Sequence, residues 1–213
     1  MIEGGADSDQ GNSEPFDELV AQFSDSQINT AQWRLWLNSL SHVVSRLERM
    51  HASLVHAVVN MPWVTLDNAT VKSYIIFIGS LLSARPEYLS LVLSKLAQGF
   101  TYRMSIACFT IVAEFCAEMT PSQSDTSVTR RVVYDRQHHL LRHLLILIPT
   151  LPSTLQPLLV RNFPHKRQNQ IAQTTYIRNL LRIGAYCPEL ADRILATIID
   201  RAIQIDVRHK RPS

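Results

Sequence analysis

Apolar residues in this chain recur at three- and four-residue steps, the spacing that places them on one face of an α-helix. The pattern is sharpest between His138 and Val207. There Leu190, Ile194, Leu195, Ile198, Ala202 and Ile203 share one helical face. Pro188 is placed to open that helix at its first position, and Glu189 beside it favours the positive end of the helix dipole. Ile177, Leu180, Leu181 and Ile183 stripe the preceding helix, which Cys187-Pro188 ends. Two amphipathic helices with almost no linker must fold back on each other, so this region predicts a helical hairpin.

Upstream, Pro15 opens a short helix carrying Phe16, Leu19, Val20 and Phe23, and Asn29 or Thr30 caps another with Trp33, Trp36, Leu37 and Leu40 on one side. Val43, Val44, Leu47, Met50, Leu54, Val55 and Val58 continue the stripe to Asn60, and Pro62 stops it. A second hairpin runs from Val71 to Ala84 and into a helix opened by Pro86-Glu87. The expected turns fall at Pro86, Pro149 and Pro188. The expected core includes Leu81, Leu82, Leu144, Ile148, Leu180, Leu181, Ile194 and Ile198.

The two hairpins resemble each other. Tyr74-Ile75 precedes Pro86-Glu87 as Tyr176-Ile177 precedes Pro188-Glu189, each with Leu-Leu near the end of the first helix. Two helices repeated every 40 residues or so is the pattern of a HEAT-like solenoid. The predicted fold class is therefore all-α, with antiparallel helix pairs stacked into a superhelix and essentially no strand. The helical-repeat domain is expected over 15–207, after a disordered acidic lead (1–14) and before a basic tail (208–213). Residues 102–129 interrupt it: Tyr102 to Met119 is apolar on most sides, and Pro121 to Thr129 is a Ser/Thr-rich loop.

Composition adds limits more than direction. With 213 residues, 46% hydrophobic and 18% charged, the chain can bury a core and is too apolar to be disordered throughout. A net charge of +3 is too small to argue for nucleic acid, and no aromatic-and-basic stripe points to sequence-specific nucleic-acid binding. Cys108, Cys116 and Cys187 are odd in number and widely spaced, so neither a disulfide framework nor a CxxC metal knuckle is expected. Apolar runs such as Tyr74 to Leu82 fall well short of the roughly 18 residues that cross a bilayer, and no membrane partner is expected.

The candidate chemistry is sparse. His139 and His143 lie four apart, as two metal ligands on a helix would, with His138 adjacent; no HExxH glutamate or further ligand accompanies them, and a solvated helix edge is the simpler account. Asp200 and Asp206 share a helix with Arg193, Arg201 and Arg208, which reads as exposed ion pairs. No nucleophile elbow, phosphate-binding glycine loop or dinucleotide fingerprint occurs, so no catalytic residue, metal or cofactor is assigned. Arg161, His165, Lys166, Arg167, Arg178 and Arg182 gather positive charge around one inter-helix turn. They either solvate the turn or form a docking edge for an acidic partner, with Phe163 and Tyr176 as anchors or as core. Trp33 and Trp36 are expected to staple the first helix to the rest. Ser39, Ser41, Ser45, Ser80, Ser83, Ser90 and Ser94 are many for helices, since serine is an indifferent helix former. Arg208 to Arg211 is a short basic tail similar to a nuclear-localisation patch.

The segments LLVRNFPHKR, YIRNLLRI and PEL..RILATIIDRAIQIDV, in that order, resemble the RNA polymerase I-specific transcription initiation factor family (the TIF-IA type). So do VVNMPWVTLDNATVKSYIIFIGSLLSARPEYLSLVLSKLAQGF and VTRRVVYDRQHH upstream, and together these blocks cover about two thirds of the chain. YRMSIACFTIVAEFCAEM departs from the family pattern, as an inserted helix or translated intron would, and so does the terminal RHKRPS. The resemblance implies the N-terminal portion of a non-enzymatic nuclear and nucleolar factor. Such a factor bridges RNA polymerase I to the promoter-bound core factor through a serine-rich surface controlled by phosphorylation, with Ser80, Ser83 and Ser90 as candidate sites. Self-association of so short a form is a further expectation. A generic helical-repeat scaffold for complex assembly or transport is the alternative.

Overall fold

The computed structural model describes residues 14–24, 30–102 and 128–209. The acidic lead, the apolar segment after Tyr102 with Cys108 and Cys116, and the last four residues lie outside the described residues. Nine α-helices and no strand occur among those described: α1 Glu14–Ser24, α2 Thr30–Val43, α3 Ala52–Asn60, α4 Asn68–Ala84, α5 Leu89–Gly99, α6 Arg130–Leu147, α7 Leu151–Arg161, α8 Gln170–Tyr186 and α9 Pro188–His209.

Side-chain caps set several helix starts. The Asp67 carboxylate accepts from the Ala69 and Thr70 amides at 2.9 and 3.1 Å, and the Asn169 side chain accepts from the Ala172 amide at 2.8 Å. Prolines open others: Pro188 begins α9, and Pro152 lies in the first turn of α7. After α4 the chain bends by 117° through a 3-10 turn at Pro86–Tyr88 and enters α5. No single described helix is long and apolar enough to cross a membrane.

The helices alternate between two layers. In one, α2 packs on α4, α4 on α6 and α6 on α8; in the other, α1 packs on α3, α3 on α5, α5 on α7 and α7 on α9. This is the stacking of a helical-repeat solenoid, with α2–α3, α4–α5, α6–α7 and α8–α9 as successive pairs. Within the first layer α2 and α4 run parallel: Thr70 Oγ1 lies 3.3 Å from the Thr30 carbonyl at their starts, and Arg85 donates to the Ser45 carbonyl at 2.8 Å at their ends. The core is continuous, from Phe23 and Trp33 through Phe77, Leu81 and Phe100 to Leu144, Leu155, Tyr176 and Ile194. Trp36 meets Phe23 with ring centroids 5.4 Å apart, which joins α1 to α2, while Trp33 is buried in the core.

The internal repeat is exact in its chemistry at one point. Tyr74 and Tyr176 are both buried, and each hydroxyl donates to a carbonyl in the last turn of the α-helix immediately before its own: Val59 of α3 at 3.4 Å and Leu159 of α7 at 2.7 Å. Carbonyls in a last helical turn have no partner within their own helix, so the tyrosine satisfies one of them. Each ring also packs on an aromatic residue from the incoming loop, Trp63 at 4.7 Å and Phe163 at 5.5 Å.

Several expectations need correction. Leu181 is 50% exposed, because it projects from the side of α8 opposite the one that buries Leu180 and Ile183. Leu190 and Ile194 are buried and Ile198 half-buried, but Leu195 and Ile203 are exposed; α9 is covered by α7 and α8 on one side only. The stripe from Val43 to Val58 is not one helix: 3-10 turns at Val44–Arg46 and Arg49–His51 carry the chain between layers and leave Met50 in solvent. Ile148 is half-buried at the end of α6, against the core.

Candidate protein-docking surface

The turn singled out by its basic residues is rigidly built. At the end of α7 the Asn162 amide and side chain both bond the Leu158 carbonyl, and the Phe163 amide donates to Val160. Phe163 is then pinned edge-on to Tyr176. The Gln168 amide donates to the His165 carbonyl at 2.8 Å and the Arg167 amide to His165 Nδ1 at 3.2 Å, which holds a tight turn ahead of the Asn169 cap. With its backbone tied down, the loop projects His165, Lys166 and Arg167 into solvent.

Three of the six basic candidates come together. Arg161, His165 and Lys166 line a groove of about 520 Å³ with Val160, Phe163 and Pro164. Opposite them, α9 contributes Arg201 and Gln204. The Arg201 guanidinium lies 5.8 Å from the Phe163 ring centroid and donates to Gln204 at 3.2 Å. The exposed ion pair read from the sequence for Arg201 is therefore replaced by a cation–π contact and a hydrogen bond to the Gln204 side-chain oxygen, while Asp200 accepts from Gln204. Arg167 is exposed on the same turn outside the groove lining. Arg178 and Arg182 point elsewhere: both are exposed on α8, and Arg182 donates to Asp135 of α6 at 2.6 Å. Phe163 and Tyr176 are core residues.

The sequence reading missed Arg201 as part of this surface. Its position on a striped helix gave no sign of facing a loop many residues upstream.

The serine candidates differ in access. Ser80 is half-buried, and Ser83 and Ser90 are exposed on α4 and in the first turn of α5. Ser83 donates to the Gly79 carbonyl at 2.9 Å, as Ser41 does to Leu37 at 2.7 Å, so hydroxyls in these helices bond back to the preceding turn. Gly79 lets α6 approach α4 closely: a Cβ there would lie 2.9 Å from His143 Nε2 and 3.2 Å from Leu147.

The histidines separate. His139 is exposed and His143 half-buried, whereas His138 is 1% exposed and fully bonded. His138 Nδ1 lies 2.9 Å from the Tyr186 hydroxyl, and Nε2 lies 3.3 Å from Asn179 Oδ1. The Asn179 amide donates to the Phe100 carbonyl at 2.9 Å. A neutral ring with its proton on Nε2 satisfies every member: Tyr186 donates to Nδ1, and Nε2–H donates to Asn179. Burial, with Arg182 nearby, pushes the imidazole down to about 4, which agrees with the neutral form. The network ties α6 and α8 to the end of α5. Cys187 is buried and its thiol pushed up by that burial, away from the thiolate that nucleophilic chemistry needs. Among the described residues no three His, Cys, Asp or Glu side chains are grouped to hold a metal ion.

Comparison with known proteins agrees with the blocks read in the sequence. Residues 4–211 match the family described as RNA polymerase I specific transcription initiation factor RRN3. The RNA polymerase I-specific transcription initiation factor rrn3 of Schizosaccharomyces pombe is 32% identical over 206 residues, covering 94% of this chain and 31% of the relative. The mouse RNA polymerase I-specific transcription initiation factor RRN3 is 29% identical over 202 residues, covering 95% and 30%. The chain thus spans about a third of the length of these curated relatives. A crystal structure of RNA polymerase I transcription initiation factor Rrn3 superposes with a TM-score of 0.73 at 24% identity, over 94% of this chain and 37% of that one, which shows a shared fold. This chain belongs to the RNA polymerase I specific transcription initiation factor RRN3 family.

Proposed function

We propose that this chain is a protein-binding segment of an RNA polymerase I initiation factor. It joins the polymerase to the promoter-bound core factor, so that only the joined polymerase starts ribosomal RNA synthesis in the nucleolus. The observation that carries this reading is the family match over residues 4–211. A two-layer solenoid suits the work, because stacked pairs present one long, rigid face to a large partner. Recognition then runs through side-chain surface, without a cofactor, a catalytic residue or sequence-specific contact with nucleic acid.

The exposed serines Ser83 and Ser90, with half-buried Ser80, are the proposed regulatory positions on that face. A phosphate there adds about −1.5 to −2 charges, which a tightly packed or acidic partner surface disfavours. Phosphatase-treated chain, immobilised and offered purified RNA polymerases I, II and III, should retain polymerase I selectively. Core factor should then join the retained complex. Equal retention of all three polymerases, or of none, removes the reading.

A further inference from the structure

The charge of this chain is divided unequally between the two layers. The helices α2, α4, α6 and α8 carry eight arginines and lysines and a single carboxylate, Asp135. The helices α1, α3, α5, α7 and α9 carry five arginines and lysines and seven carboxylates. A net charge of +3 therefore conceals one strongly basic layer beside a mildly acidic one. Asp67, the cap of α4, adds a carboxylate at one edge of the basic layer, toward Arg34.

Packing turns the cations of the basic layer outward. α4 lies between α2 and α6, and α6 between α4 and α8, so each keeps one side free of its neighbours. That side carries Lys72, Ile76 and Ser83 on α4 and Arg131, Arg142 and Ile146 on α6, each set in one helical stripe. All six are exposed, with Ile76 at 58% and Ile146 at 82%. Both helices have a following pair within the described residues, and that pair stacks beside them without covering this side. The face belongs to the middle of the solenoid.

Asp135 is already engaged by Arg182 at 2.6 Å, with Arg131 at 4.0 Å. Lys72 and Arg142 have no carboxylate within 4 Å among the described residues. Cations spread over a face with so little counter-charge raise its potential, and a partner bearing carboxylates lowers it. Single-stranded nucleic acid is bound along a track of cations with open aromatic faces for stacking. Here every Trp, Phe and Tyr of the four helices is buried or half-buried, and isoleucines stand between the cations. A phosphate backbone would leave those isoleucines in water, whereas aliphatic side chains of a protein would cover them.

We infer that the outward face of α4 and α6 docks an acidic segment of a protein partner that also carries aliphatic side chains. Its carboxylates meet Lys72, Arg131 and Arg142, and its aliphatic groups rest on Ile76 and Ile146. The assignment rests on the reading that the chain acts by binding proteins, and it specifies the face and the chemistry of one such contact.

The test is fluorescence anisotropy of the full chain with a labelled peptide of repeated Glu-Glu-Leu-Glu. Saturable binding is expected, weakened at least tenfold when the glutamates become glutamines and at least tenfold in Lys72→Glu/Arg131→Glu. Arg161→Glu/Arg193→Glu makes the same change in net charge on the other layer and should bind as wild type. All four positions are exposed, so both variants should melt at the wild-type temperature. Lys72→Gln/Arg131→Gln should weaken binding at least threefold, and it decides the matter if the reversed pair melts early. Equal binding of the glutamine peptide overturns the proposal, as does equal loss in the two reversed pairs or indifference to both. Tighter binding of an oligothymidylate of matched charge, lost in Lys72→Glu/Arg131→Glu, overturns it in favour of nucleic acid. Polymerase I retention without peptide binding removes this assignment alone, and peptide binding without polymerase I retention removes the bridging reading alone.

Discussion

Two tyrosine hydroxyls at matched positions do the same work at different distances, and the difference is measurable. Tyr176 bonds Leu159 at 2.7 Å, whereas Tyr74 bonds Val59 at 3.4 Å, near the limit of a useful hydrogen bond. Removing the hydroxyl in Tyr176→Phe leaves a buried helix-end carbonyl without its donor and should cost about 1–3 kcal/mol in urea unfolding. Tyr74→Phe should cost less than Tyr176→Phe, and the reverse order would contradict the geometry. His138 makes a prediction in pH. Its folded value, about 4, is below the ordinary 6.5, so between those values the unfolded chain binds a proton that the native chain does not. Stability from this group is complete above about pH 6.5 and falls as pH drops toward 4, by about 3 kcal/mol over the whole window. A His138→Gln variant should show a flatter stability profile over that window than wild type in urea titrations.

Among the elements, α9 shows most plainly how a stripe divides into covered and uncovered sides. Ile194 is 5% exposed and Ile199 51%, though both sit on the same amphipathic helix. Ile194→Ala should cost about 2–5 kcal/mol, and Ile199→Ala less than about 0.5 kcal/mol, by chemical denaturation. Comparable losses at the two positions would mean that the helix is rotated about its axis from the orientation described. The charge switch proposed for the α4–α5 pair is tested at the same scale. Ser83→Asp with Ser90→Asp should weaken polymerase I retention at least tenfold, a change of about 1.4 kcal/mol. The corresponding Ala pair should bind normally, and both should melt as wild type. Early melting of the Asp pair would identify a structural effect instead.

On the scale of the whole molecule, each layer buries one side of its helices and leaves the other in solvent. The last pair exposes Ile171 and Leu181 on α8 together with Leu195, Ile199 and Ile203 on α9. Leu195 and Ile199 are each about half exposed, so Leu195→Glu/Ile199→Glu should leave the melting temperature within a few degrees of wild type in thermal unfolding. A large drop would mean that this side of α9 is covered.

The local features of the fold were legible in the sequence because their free energies are local. Caps such as Asp67 and Asn169, helix-opening Pro188, and three- and four-residue spacing act within a turn or two of chain, and they specify helices and where pairs bend. The matched Tyr-Ile and Pro-Glu spacing also announced the repeat, since each tyrosine bonds a carbonyl in the last turn of the preceding pair. Partners distant in sequence were decided only by the stacking of the layers. Helical spacing sets Leu180 and Leu181 about 100° apart but does not say which of the two a neighbouring helix covers. Nor does spacing reveal that Arg182 leaves the basic turn for Asp135, that Arg201 joins it from α9, or that His138 faces Asn179 and Tyr186 in the interior. Each of those assignments depends on where a separate helix lies in space, and that position is set by the summed packing of both layers rather than by any residue near the one concerned.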